Sequence, residues 1–131
     1  MLSQVHRVDI TEPAQTLLRQ LIEENGPVLF HHTDDDGTPI CRSARDFRIN
    51  RTDVLLARLT WHTEFWVTPD RFDAWRDTHL TLDVTDGAAA DGSLEAGTGI
   101  RFVLATRGLT EAEAEALAAG PPPRTGADRT L

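Results

Sequence analysis

Two adjacent histidines, three consecutive aspartates and the single cysteine of the chain fall within Phe30-His31-His32-Thr33-Asp34-Asp35-Asp36-Gly37-Thr38-Pro39-Ile40-Cys41. Imidazole and carboxylate together suit Fe(II), Mn(II) or Zn(II), and a pair of histidines with one carboxylate is a known iron-binding set. On that chemistry the metal-ligand candidates are His31, His32, Asp34, Asp36, Cys41 and, further along, His79. Neighbouring side chains of a strand point to opposite faces, so a given pocket receives His31 or His32 and not both. The same stretch also reads as a solvated acidic turn with one histidine at the core edge, or as a metal-free pocket.

A second grouping lies in His79-Leu80-Thr81-Leu82-Asp83-Val84-Thr85, where alternation puts His79, Thr81 and Asp83 on one face of a strand. If that face lines an enclosed space, His32, His79 and Asp83 are the candidate acid–base residues. If it faces water, they are ordinary polar positions, and Glu95 in "SLE" carries the same two readings. Cys41 reads better as a buried thiol than as a nucleophile, because nothing nearby in the sequence lowers its pKa. Arg42, Arg45 and Arg48 form a basic run whose simplest role is pairing with the abundant acids.

The elements that must hold these residues follow from periodicity. Residues 11–25 predict an amphipathic helix, with Thr11 as cap, Pro13 in the first turn and an apolar stripe of Ala14, Leu17, Leu18, Leu21 and Ile22. Asn25-Gly26-Pro27 ends it. Strands are predicted at 27–32, 45–50, 53–60, 64–67, 79–85 and 100–106, with "SLE" as a further brief one. Thr68-Pro69 opens a short helix at about 69–76 with Phe72 and Trp75 on its buried side, and the tryptophans and phenylalanines read as core. The fold class is α+β: an N-terminal helix on a compact, mostly antiparallel β unit spanning 1–108. A closing helix follows at 109–120, with a capping box of Thr110 and Glu113, and then a disordered tail at 121–131.

Composition narrows the function. The chain has 131 residues and a formal charge of −8, which opposes nucleic-acid binding and attraction to anionic membranes. A lone cysteine excludes a disulfide within the chain and an ordinary iron–sulfur cluster site. The N-terminus lacks the pattern of a signal peptide and no apolar run reaches the length of a membrane span, so the expectation is a cytoplasmic protein. Gly-rich phosphate loops, nucleophile elbows and paired-histidine zinc helices are absent.

"FHH…GTPIC", "DVLLARL", "FWVTPDRFDAWRDTHLTLDV" and "SLEAGTGIRF" together resemble a small bacterial family known as domain of unknown function 779, often linked with aldehyde dehydrogenases. The resemblance covers about residues 7–107. The order of elements is also similar to the HesB-like pseudo-barrel of A-type iron–sulfur carriers, which use three cysteines; this chain lacks their C-terminal pair. Members of the first family carry Gly-Gly-Cys-Cys-Asp-Gly where this chain has Asp34-Asp35-Asp36-Gly37. They read Trp-Lys-His-Thr-Gln where it has Trp75-Arg76-Asp77-Thr78-His79. The resemblance thus implies a site in which carboxylates replace thiolates, favouring a harder ion or none.

The leading expectation is a small ligand- or metal-binding protein acting beside a metabolic or biosynthetic enzyme. Its partner is then a small molecule or that enzyme. The alternatives are a small enzyme using His/Asp acid–base chemistry, and an interaction module whose site has decayed. The opening stretch is expected at the mouth of the pseudo-barrel, with one of its histidines sharing a pocket with His79.

Overall fold

The structure, a computed structural model, describes residues 6–32, 39–89, 93–120 and 123–129. In chain order the elements are β1 (Val8–Ile10), α1 (Glu12–Asn25), β2 (Val28–His32), β3 (Ile40–Ser43), β4 (Val54–Arg58), β5 (Glu64–Val67), α2 (Pro69–Ala74), β6 (Thr78–Asp86), β7 (Ile100–Gly108), α3 (Glu111–Ala119) and α4 (Gly126–Arg129). The strands form two sheets, ordered β1-β6-β7 and β3-β2-β5-β4. β2/β3, β4/β5 and β6/β7 are antiparallel, while β1/β6 and β2/β5 are parallel. The fold is therefore α+β, and its two sheets stay open instead of closing into a barrel.

α1 forms where its apolar stripe demands. Thr11 Oγ1 accepts from the Ala14 amide, and the Gly26 amide donates to the Ile22 carbonyl at a φ of 79° that favours glycine. The Thr11 amide donates to Leu82 O, which fixes the helix start on β6. Ala14, Leu17, Leu18 and Leu21 then bury against both sheets, meeting Leu80 and Leu82 of β6 and Phe30 of β2. Phe30 stacks with Phe65 at 5.7 Å between ring centroids and meets Phe102 edge-on at 4.9 Å. This aromatic knot joins the two sheets, and truncating Phe102 to alanine costs about 3–5 kcal/mol.

The strands expected at 27–32, 53–60, 64–67, 79–85 and 100–106 are present as β2, β4, β5, β6 and β7. β1 and β3 are strands where none is predicted. Residues 45–50, expected as a hairpin partner of β4, turn instead. Asp46 and Phe47 donate their amides back to Ser43 O, and the Asp53 carboxylate accepts from the Asn50 amide at 3.0 Å. "SLE" is likewise a turn, tied to β3 by one backbone bond, from Leu94 N to Cys41 O, and by a bond from the Cys41 amide to Ser93 Oγ. Trp66 is core, but Trp61 is 49% exposed at a turn where it and His62 both adopt positive φ. Of the stretch expected as a tail, residues 123–129 run beside β4. The Leu55 amide donates to Arg124 O, Val54 bridges Thr125, and the Gly126 amide donates to Asp53 O. Among the described residues, no helix is long and apolar enough to cross a membrane.

Candidate functional site

The alternation of β2 separates the two histidines. Val28 and Phe30 face the core, so His32 shares their side, while His31 shares the other with Leu29. His31 Nε2 lies 3.0 Å from Asp53 Oδ2, and both side chains are buried. Since Oδ2 also takes the Asn50 amide, this carboxylate pins the turn that ends in β4 to the middle of β2. Phe47 covers the imidazole at 4.8 Å. His32 is buried with its ring 4.7 Å from that of Trp75, at the end of α2.

His79 stands on the face of β6 opposite Leu80 and Leu82. Its Nε2 lies 3.0 Å from Oδ2 of Asp9 on β1, whose strand register (Asp9 beside Thr81) sets the two residues diagonally on one face. Its Nδ1 is buried and makes no hydrogen bond among the described residues. Asp83, the expected partner, is occupied elsewhere: its Oδ1 accepts from Thr11 Oγ1 and from the Val84 amide, both at 2.8 Å. The face carrying His79, Thr81 and Asp83 is the outer one, because Leu80, Leu82 and Phe102 occupy the inner.

Cys41 is fully buried opposite Phe30. Its amide donates to Ser93 Oγ at 2.9 Å; that hydroxyl donates to Glu95 Oε1, and Glu95 Oε2 accepts from the Phe102 amide at 3.1 Å. Burial, and then the nearby Glu95 carboxylate, push the Cys41 thiol far above its usual range. The thiol is thus a weak nucleophile and a weak ligand. Glu95, fully buried, knits β3, the 93–98 turn and β7 together.

The three histidines therefore take separate partners: Asp53 for His31, Trp75 for His32 and Asp9 for His79. Asp34 and Asp36 lie outside the described residues. Among those described, no group of three or more His, Cys, Asp or Glu side chains is placed to hold a metal ion.

Sequence reasoning missed Asp9, placed beside His79 by strand register, and Asp53, brought to His31 by the turn before β4. It also missed a cavity of about 490 Å³ lined by His6 and Arg7 before β1, by Leu55 to Arg58 of β4, and by Leu117 and Ala118 of α3, with Pro123 beyond. The Arg7 guanidinium donates to Arg76 O at 3.0 Å and lies 5.3 Å above the Phe72 ring. Burial, followed by the like charge of Arg76, lowers the Arg7 pKa, with Asp77 opposing. Arg58 reaches Glu64 at 3.6 Å and is half exposed.

No curated protein and no solved structure matches the chain. The model of one family, described as "Domain of unknown function (DUF779)", matches residues 17–107, and the chain belongs to that family.

Proposed function

We propose that this is a small-molecule-binding protein serving a metabolic or biosynthetic enzyme, with its ligand in the cavity between β4 and α3. The observation that carries the reading is the composition of that cavity, in which basic side chains and the apolar surface of Leu55, Leu117 and Ala118 face a common space of about 490 Å³. Ligand cavities typically combine such an apolar lining with a few polar groups, and this volume lies within their usual range of about 300–1,000 Å³. The resemblance to proteins linked with aldehyde dehydrogenases supports a dehydrogenase as the neighbouring enzyme. The element order supports a relationship to HesB-like proteins, here in open-sheet form, and a cytoplasmic location fits the same reading.

The test is to fill the space. Leu117→Trp places an indole in the cavity, and a panel of small metabolites is screened against both proteins by thermal shift. Ligands that stabilise the wild type and leave Leu117→Trp unmoved support the reading. Stabilisation that persists in the filled variant sinks it.

A second reading, that of a small enzyme, is favoured by one observation. His79 Nε2 lies beside Asp9 while its Nδ1 makes no hydrogen bond among the described residues, an arrangement in which a carboxylate fixes the tautomer and the other nitrogen is left to accept a proton. In this reading Asp9 replaces Asp83 as the partner of His79, and His32 takes no part. Loss of turnover in His79→Gln, with folding intact by circular dichroism, is the result it requires.

A further inference from the structure

The cavity between β4 and α3 has an unusual electrostatic lining for this chain. The sequence holds 21 acidic residues against 13 arginines and lysines. Yet the cavity is lined by His6, Arg7 and Arg58 and by no acidic side chain among the described residues. Two arginines and a histidine around one concavity make a local field attracting negative charge, with Glu64, 3.6 Å from Arg58, the carboxylate that partly offsets it.

Arg7 is the centre of that field. Besides the Arg76 carbonyl and the Phe72 ring, it faces the positive charge of Arg76, which itself pairs with Asp73 at 3.0 Å. Asp77 is the nearby opposite charge, and with Phe72 and Arg76 it lines an adjoining space of about 270 Å³ that shares Arg7, Leu117 and Ala118 with the first. A partly buried guanidinium next to another guanidinium is desolvated without full compensation. An arriving anion supplies the missing charge, and the guanidinium fork suits two oxygens of a carboxylate or phosphate.

The cavity is also a feature of the chain's ends. Leu55 to Arg58 lie inside the matched span of 17–107, whereas His6, Arg7, Leu117, Ala118 and Pro123 lie outside it. The segments before β1 and after β7 lie over the edge strand β4 of the family core, and the first of them brings His6 and Arg7 beside Arg58.

We infer that this cavity binds a small amphiphilic anion, its carboxylate or phosphate group held between Arg7 and Arg58 and its apolar part against Leu117 and Ala118. The inference rests on the small-molecule reading of the same cavity and names the chemical class of the ligand. The exposed His6 completes the lining beside Arg7.

The experiment is protein-observed ¹⁵N NMR titration with hexanoate, hexyl phosphate, hexanol and hexanamide. Both anions are expected to shift the amides of Leu55 to Arg58, Leu117 and Ala118, at least about tenfold more tightly than the neutral compounds. The tighter of the two anions identifies the headgroup. Arg7→Gln is expected to weaken both by about tenfold and Arg58→Gln by about threefold, and added salt weakens them further. Because Arg7 also holds Arg76, the half-exposed Arg58 supplies the variant least able to disturb folding. Neutral compounds binding as tightly as the anions would overturn the inference and leave the small-molecule reading standing. Anion binding indifferent to both arginine variants overturns it too. Silence from all four compounds at these amides removes both.

Discussion

His79 on β6 and Asp9 on β1 meet across the sheet edge at 3.0 Å, one nearly enclosed and the other with a side chain 60% exposed. β1 is only Val8–Ile10, so its parallel ladder to β6 offers few backbone bonds. A side-chain bridge from the middle of such a strand helps hold it in register. The pair links the end of the chain that carries Arg7 to the body of the fold.

Removing the acceptor should loosen that end. Asp9→Ala is expected to destabilise by about 1 kcal/mol, the ordinary net value of one hydrogen bond, and Asp9→Asn by less because the amide still reaches the imidazole. Urea unfolding measures both. Faster amide exchange at Val8–Ile10 than at β7 in Asp9→Ala would place the loss in β1.

Cys41 should be inert while the protein is folded. Burial and the Glu95 charge raise its pKa, so the thiolate fraction near pH 8 is negligible in the native state and appears on unfolding. Iodoacetamide labelling is expected to be slower by on the order of a hundredfold or more in buffer than in guanidinium chloride. Equal rates in the two conditions would contradict the buried geometry.

Glu95 is a larger commitment. Glu95→Ala leaves Ser93 Oγ without its acceptor and the Phe102 amide unpaired in the core, and is expected to cost about 3 kcal/mol. Glu95→Gln retains an oxygen and is expected to lose less than half of that. Denaturation midpoints at constant slope report the difference; a neutral Glu95→Ala would mean that water already serves these groups.

Acid should release α3 before the core. Glu113 accepts from Arg107 and from the Thr110 amide, and these bonds, led by the one to Arg107, hold its pKa down to about 2 from 4.5. A carboxylate depressed on folding stabilises fully above its unfolded pKa and loses that contribution as pH falls through the folded one. Amide resonances of Glu111–Ala119 should therefore shift between about pH 4.5 and 2 in the wild type. In Glu113→Gln the component of that shift centred near pH 2 is expected to disappear.

What could be read from the sequence was what repeats. α1 carries four buried residues at helical spacing and β6 alternates in sequence over seven of its nine positions, so periodicity located both. β1 and β3, at three and four residues, are too short for alternation to register. Residues 45–50 misled because Phe47 and Ile49 alternate, whereas the deciding group, the Asp53 carboxylate, binds Asn50 from outside the segment. The site suffered in the same way. The residue types were visible in His31, His32 and His79, but the partners Asp53 and Asp9 lie 22 and 70 positions away. Arg7 and Arg58 carry no local pattern at all; only the docking of the chain ends on β4 unites them.

Gly126 sits so close to the turn before β4 that a Cβ there would overlap the carbonyl oxygen of Asn50. A glycine is thus what lets the final segment lie along the outermost strand of its sheet. That position is where one polypeptide most readily zips onto another, since an uncovered ladder of amides and carbonyls is a template for any passing strand. Residues 124–126 occupy the start of that ladder, at Val54 and Leu55, and a methyl group added at Gly126 would push them off it.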